Sequence, residues 1–468
     1  MKIIILGSGD VSIELARYLV NAGHAVTIAD TNQEALQDIG NRVDLRVVIG
    51  NPSSPTTLRR AGAENTELLV ATTSDDEANI TACCVGQFLF KIPRKIARLR
   101  SAEYLEEASD LFGPNGIPID HIIATEHLIT QNVMAMIELP GITEYGSFCD
   151  NRIIVASAKV EIGGKLLGKS MVFFNEYDGK AAILAVYRDD TYLTNLEKEV
   201  FKVGDEVFFC CERDRALSQL SALRKLSTGD KNITISGGTH IADSLARSLS
   251  ERYKVKLIEM DNARAKKTAL NLHDTGVEIY NADPMDMEFM KEENLDSTDL
   301  YIAATPKDDT NIMSSLILHR VHNVKTLAIL KSDSYVDLTA NDKSDIDTVV
   351  SPKDSIISAL LSLIRQESVE NVHLYRQGKS EAIEFKIEGS KLTSKIVGKK
   401  SESLNLPKGV TLGLVIRGRK LLQITNDLVF EDKDRIIAYL DDHSQMRKLV
   451  RMCRPFSFWI PKGDSIFV

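Results

Sequence analysis

The chain carries the same order of motifs twice, which limits it to architectures made of two copies of one unit. Lys2-Ile3-Ile4-Ile5-Leu6-Gly7-Ser8-Gly9 is matched by Asn232-Ile233-Thr234-Ile235-Ser236-Gly237-Gly238-Thr239. Val26-Thr27-Ile28-Ala29-Asp30 is matched by Val255-Lys256-Leu257-Ile258-Glu259. Leu68-Leu69-Val70-Ala71-Thr72-Thr73, then Asp75 to Ile80, is matched by Leu300-Tyr301-Ile302-Ala303-Ala304-Thr305, then Lys307 to Ile312. The matches keep their order at an offset of about 230 residues, which chance does not explain. A chain of 468 residues is too long for one ordinary core, so roughly two to four domains are expected.

Each copy alternates strand and helix patterns. Residues 2–6 form a continuous apolar run, as in a strand buried on both faces. Val11, Leu15, Leu19 and Val20 then recur at helical spacing. Strand patterns follow at 25–29, 45–49, 68–72 and 95–99, and in the second copy at 232–236, 255–259, 277–280, 300–304 and 326–330. This predicts α/β units of the Rossmann-like type, doubly wound parallel sheets. Each unit is followed by a small α+β stretch, β-rich at 151–211 and 380–440. Leu166-Leu167-Gly168-Lys169 and Ile396-Val397-Gly398-Lys399 repeat within these stretches. The expected organisation is 1–139, 140–228, 229–368 and 369–468, with Ser227-Thr228-Gly229-Asp230 as linker.

The turn after the first strand, Gly7-Ser8-Gly9-Asp10-Val11-Ser12, lies between strand and helix. There the first glycine permits the tight turn. The second lets a pyrophosphate approach the backbone N–H groups at the helix N-terminus. Ser12 takes the third, small position. Asp30 ends the second strand, where a carboxylate accepts hydrogen bonds from both hydroxyls of an adenosine ribose and repels a 2′-phosphate. Asp10 sets a negative charge beside the expected phosphates. In the second copy Gly237 and Glu259 keep the turn and the acid, but Thr239 and Ala242 replace the later glycine positions. Asn51 and Asp283 follow the third strands, where an adenine edge can be met. Thr72 and Thr73 follow the fourth, at the carboxyl edge of the sheet where ligands bind. Ordinary loop and N-cap chemistry is the competing account of these residues.

Composition narrows the function classes. With 43% apolar and 26% charged residues the chain is globular. Its net charge of −9 argues against a nucleic-acid binder. The six cysteines lack zinc-site spacing, and the doublets Cys83-Cys84 and Cys210-Cys211 sit in apolar stretches, which fits a reducing compartment. No window approaches the roughly 18–20 apolar residues of a membrane span. There is no Ser-His-Asp spacing, no HExxH and no Walker lysine. His121 and His127 are expected to be structural. The segments 124–133 and 352–361 are apolar and helical, either crossover helices packed on a neighbour or parts of their own cores. The aromatic tail Pro455-Phe456-Ser457-Phe458-Trp459-Ile460 either docks on a partner or packs on its own chain.

Longer stretches carry a family resemblance. Asp44-Leu45-Arg46-Val47-Val48-Ile49-Gly50, Leu58-Arg59-Arg60-Ala61-Gly62-Ala63, Lys95-Ile96-Ala97-Arg98-Leu99-Arg100, Ile117-Pro118-Ile119-Asp120-His121 and Asn311-Ile312-Met313-Ser314, with the glycine turn, resemble the TrkA family. These are peripheral regulatory subunits of Trk potassium uptake systems, with tandem regulator-of-conductance-of-potassium units. The resemblance covers nearly the whole chain. It implies binding of NAD(H) or of adenine nucleotides such as ATP and ADP. It also implies a dimeric or tetrameric homo-oligomer on the cytoplasmic face of a potassium-translocating membrane subunit, gated by the nucleotide, and no enzymatic activity. By resemblance the nucleotide residues are Gly7, Gly9, Asp30, Asn51, Thr72 and Arg98, with Gly237 and Glu259 in the second copy. Two rival functions stay open from the residues alone. One is an NAD-dependent dehydrogenase, which needs a proton donor beside the nicotinamide. The other is a scaffold with empty sites.

Overall fold

The computed structural model describes residues 1–113, 115–177, 179–226, 232–295, 298–339, 345–364, 369–442 and 445–453. The 227–230 linker and the aromatic tail lie outside the described residues. The first six strands are β1 (Lys2–Leu6), β2 (Ala25–Asp30), β3 (Arg46–Ile49), β4 (Leu68–Ala71), β5 (Arg94–Leu99) and β6 (His121–Ala124). They form a parallel sheet in the order β3-β2-β1-β4-β5-β6. The order reverses between β1 and β4, which leaves a crevice at the carboxyl edge beside the β1 turn. The strands are nearly continuous apolar runs because helices cover both faces; Ile3, Ile4, Ile5 and Leu6 are all buried.

Next come β7 (Ile142–Phe148), β8 (Ile153–Lys159), β9 (Ala181–Arg188), β10 (Thr191–Tyr192) and β11 (Glu206–Glu212), a five-stranded sheet in the order β10-β9-β11-β8-β7. The plan then repeats. β12 (Asn232–Ser236), β13 (Lys254–Ile258), β14 (Glu278–Tyr280), β15 (Leu300–Ala303), β16 (Lys325–Ile329) and β17 (Thr348–Val350) make a second parallel sheet, β14-β13-β12-β15-β16-β17. β18 (Val369–Tyr375), β19 (Ser380–Lys386), β20 (Val410–Arg417), β21 (Lys420–Gln423) and β22 (Arg435–Leu440) make the last sheet, β18-β19-β22-β20-β21. The sequence pattern shows ten of the twelve parallel strands. The short edge strands β6 and β17 do not stand out in it, and His121 is an exposed residue of β6.

The four sheets follow one another along the chain and group into two compact units. One compact unit combines Met1–Tyr145 with Leu226–Ile364, and so holds both nucleotide-type sheets; the other combines Gly146–Lys225 with the stretch that follows Ile364. Within the first unit the helix after each sixth strand crosses to the other copy. Ile129 and Val133, on the helix Thr125–Glu138, are fully buried in one cluster with Ile233, Ile235, Leu245 and Leu249 of the second copy. Burying each such side chain stabilises the pairing by about 1.5–3 kcal/mol. Thr130 donates to Ser244 Oγ at 3.0 Å, and Arg252 pairs with Glu138 at 2.9 Å. Asn132 Nδ2 donates to Ser355 Oγ at 2.8 Å, linking this helix to its counterpart Pro352–Ile364. These helices therefore bind the two copies to each other.

In the second unit the two five-stranded sheets share a core that includes Phe148, Tyr187, Phe208, Tyr375, Leu414, Ile437 and Tyr439. Each sheet also carries the same arginine clamp on a buried aspartate. Arg188 grips Asp205 with Nε at 2.7 Å and Nη2 at 2.9 Å, and Arg417 grips Asp434 at 2.8 Å with both nitrogens. Such bidentate pairs fix orientation as well as charge. None of the six cysteines is joined in a disulfide, and five of them are buried.

Candidate nucleotide-binding site

Backbone hydrogen bonds give the equivalences between the two crevices. The N–H of Gly7 donates to Ala29 O and that of Gly237 to Ile258 O, which aligns Asp30 with Glu259. Both glycines have a left-handed φ, +114° and +111°. A Cβ would come within 2.9 Å of Thr72 O at Gly7 and within 2.6 Å of Ala304 O at Gly237. Only glycine fits either turn without strain.

The turns diverge one residue later. Gly9 caps the helix Asp10–Asn21 with no side-chain hydrogen bond, and no atom lies within 4 Å of where its Cβ would be. Among the described residues the N–H groups of Asp10, Val11 and Ser12 have no hydrogen-bond partner, as an anion site requires. The aligned residue, Thr239, accepts from Ala242 N at 3.2 Å and donates to Ala304 O at 3.0 Å. Its hydroxyl does the capping that an anion would otherwise do.

The acids diverge more. Asp30 is half-buried, and Oδ1 accepts from Asn32 N at 2.9 Å and from Thr31 at 3.3 Å. No hydrogen bond to Oδ2 is found among the described residues. Glu259 is 2% exposed and turned into its own glycine loop. Its Oε2 accepts from Gly238 N at 2.5 Å, and its Oε1 accepts from Asp261 N at 2.6 Å and from Arg264 at 2.8 Å. Burial alone raises the Glu259 carboxyl, but Arg264 and the two N–H donors outweigh it and hold it below the usual range. A side-chain carboxylate thus bonds the glycine loop's own N–H, in the manner of a bound anion.

The remaining predicted residues take different places. Ser8 is half-buried and Val11 buried on the helix's inner side; Asp10 is exposed at the helix start. Ser12 and Thr72 are both buried, with their hydroxyls 2.9 Å apart, and Thr72 also donates to Leu6 O at 3.2 Å. This pair holds β1 to β4, so the serine at the third glycine position serves packing. The Thr73 hydroxyl donates to Asn79 Oδ1 at 2.7 Å. Asn51 Oδ1 accepts from Ser53 N, and Asp283 Oδ1 from Met285 N, both at 2.9 Å, in matching local turns beyond the third strands. Gly7 and Gly9 on the turn after β1, Asp30 at the end of β2, Thr73 after β4 and Arg98 near the end of β5 all lie at the carboxyl edge of the first sheet.

Arg98 adds a feature with no equal in the second copy. Its Nη2 donates to Thr73 O at 3.2 Å, while Nε is buried without a hydrogen-bond partner. A buried orphan donor is costly unless a bound group satisfies it. Buried Asn79 places this strand by donating to Arg98 O at 3.0 Å, and buried Asn311 does the same for Ile329 O at 2.9 Å. The position of Arg98 is therefore held by an isoleucine in the second crevice. The role of Asn79 and Asn311 was not read from the sequence, although both stand in the repeated segment. The donor set of the first crevice fits an adenine nucleotide: open N–H groups and an arginine for phosphate, and a carboxylate for ribose hydroxyls.

The sequence model of the TrkA-N domain matches residues 3–125 and 233–352. The Trk system potassium uptake protein TrkA of Vibrio alginolyticus is 36% identical over 464 residues, 98% of this chain and 100% of that protein. The protein of the same name from Haemophilus influenzae is 36% identical over 462 residues, with the same coverage. Among solved structures, the GsuK RCK domain superposes with a TM-score of 0.60 at 17% identity, covering 97% of this chain and 94% of that one. The GsuK channel bound to NAD superposes with a TM-score of 0.59 at 16% identity, covering 97% and 78%. These structural likenesses establish a shared fold, two Rossmann-like domains with two smaller antiparallel ones. Over nearly its full length, the chain belongs to the TrkA family.

Proposed function

We propose that the chain is a peripheral cytoplasmic regulator that binds NAD(H) in its first crevice and passes that state to a Trk-type potassium-translocating membrane subunit. The uncapped helix start at Gly9, beside the orphan Nε of Arg98, carries this reading. Asp30 accepts the ribose hydroxyls, and the open N–H groups with Arg98 meet phosphate. Glu259 and Thr239 keep the second crevice closed, so the second copy acts as a rigid counterpart. No helix among the described residues is long and apolar enough to cross a membrane, and a membrane partner supplies the pore. The crossed helices Thr125–Glu138 and Pro352–Ile364 give a route for the signal, because a ligand that shifts the first copy strains a packing shared with the second. A ligand biases a conformational equilibrium only by binding the two states unequally. The working form is a homo-oligomer, a dimer or tetramer.

The test is capture of the purified membrane subunit on the purified chain, with and without NADH, for the native protein and Asp30→Ala. NADH should change capture of the native chain. Asp30→Ala should weaken NADH binding by about tenfold or more, the scale of lost hydrogen bonds to a charged group, and shift the effect to correspondingly higher NADH concentrations. Unchanged NADH affinity in Asp30→Ala overturns the placement of the ribose. Capture indifferent to nucleotide overturns the regulatory reading.

A further inference from the structure

The second nucleotide-type domain keeps hydroxyls where the first has an apolar core. Leu6, Leu69, Ala82 and Cys83 are buried together in one cluster of the first copy. The aligned residues of the second copy are Ser236, Tyr301, Ser314 and Ser315, and these are buried too. Ser236 ends β12. Tyr301, on the neighbouring strand β15, pairs with Thr234, so Ser236 and Tyr301 share one face of the sheet. Ser314 and Ser315 belong to the helix Asp308–His322, which packs on β15.

Most of these hydroxyls have nothing to bond. The side-chain oxygens of Ser236, Tyr301 and Ser315 are buried with no hydrogen-bond partner among the described residues. Ser314 Oγ donates to Thr310 O at 2.8 Å and can still accept. Leaving buried hydroxyls unpaired is costly, and folded proteins meet such groups with protein atoms or ordered water. Burial pushes the Tyr301 phenol up to about 12, so it remains a donor, and Ser236 and Ser314 lie close enough to oppose that shift. The three oxygens therefore converge, and neither serine bonds the phenol directly.

We propose that Ser236, Tyr301 and Ser314 hold one ordered water behind the second glycine turn. Tyr301 and Ser236 donate to it, and Ser314 accepts from it. About three hydrogen bonds is the usual number for a buried water. Neutral hydroxyls suit a neutral ligand, because an ion buried here would meet no opposite charge on them. Tyr301 lies in one buried cluster with Ile258, Ala303, Ile312 and Leu318, which keeps the water from bulk solvent. Ser236 O already accepts from Ala304 N at 2.8 Å. The water adds a side-chain link from this joint to the helix Asp308–His322, and so braces from behind the strand end that leads into Gly237. Leu6, Leu69 and Ala82 give the first copy no hydroxyl at this place. The inference does not depend on a nucleotide binding either crevice.

The experiment combines high-resolution crystallography of the full-length chain with amide exchange in β12 and β15, for the native protein, Tyr301→Phe and Ser236→Ala. Native crystals should show a density peak within hydrogen-bond distance of all three oxygens. Each substitution should raise the opening constant of those amides by about fivefold, the scale of one net hydrogen bond. Absence of the peak from native crystals overturns the proposal. Slower exchange in Tyr301→Phe also overturns it, because that is the result of removing a buried hydroxyl that has no partner.

Discussion

The two crevices of the first unit share a strand order, a left-handed glycine and an acid at the end of the second strand, yet they treat the glycine turn in opposite ways. In the first, Gly9 leaves the helix start uncapped, Asp30 keeps one carboxylate oxygen without a hydrogen bond among the described residues, and Arg98 holds an orphan nitrogen. In the second, Thr239 caps the helix, Glu259 bonds the Gly238 N–H, and Ile329 stands where Arg98 would. A phosphate site and a self-satisfied turn thus differ by a few side chains on one backbone. The comparison teaches that a duplicated fold can keep one copy receptive to a ligand and let the other satisfy its own backbone.

The largest expected effect breaks the closed copy. Glu259→Ala strands two N–H groups, while the half-exposed Arg264 returns to solvent, and should cost about 1–3 kcal/mol, as for buried donors left without a partner. Asp30→Ala should stay within about 1 kcal/mol, as for a residue with few contacts. Urea unfolding of both variants checks this, and equal costs would erase the distinction between the acids. The same contacts make the second sheet acid-sensitive. Because the Glu259 carboxyl is held low, its stabilisation is fully present above its unfolded value of about 4.3 and is lost as pH falls through the folded value. Protection of the β12 and β13 amides, corrected for the pH dependence of intrinsic exchange, should therefore fall on acidification, and should do so less in Glu259→Gln.

A smaller effect converts the open copy toward the closed one. Gly9 has φ −74° and ψ 168°, which a threonine adopts readily, and its Cβ would meet nothing within 4 Å. Gly9→Thr should thus place a cap like that of Thr239, adding about 0.5–1 kcal/mol of stability. The cap competes with phosphate for the same N–H groups, so NADH affinity should fall by about tenfold. A variant that is more stable yet binds NADH unchanged would show that phosphate does not use those groups.

The parallel sheets, the glycine turns and the strand-end acids were legible in the sequence because buried parallel strands are continuous apolar runs and the repeat shows them twice. The edge strands were not: β6 has four residues and β17 three, and exposed His121 breaks the apolar pattern. Periodicity marked the helices Thr125–Glu138 and Pro352–Ile364 as apolar, but it holds no information about which copy they cover. For the same reason the grouping of each copy's domains with those of the other was not visible. At the site, the replacement of Arg98 by Ile329 was readable once the repeat was aligned strand by strand. The inward turn of Glu259 was not, because it depends on a rotamer chosen between ribose and loop. The signal that points to it is Arg264, in the first turn of the helix that follows the acid.

Calorimetric titration of the native chain with NADH, read together with amide exchange of the same complex, tests the account most directly. It predicts one equivalent bound per chain, with protection at residues 7–12 and around Asp30. Two equivalents, or protection centred on residues 237–242, would contradict it.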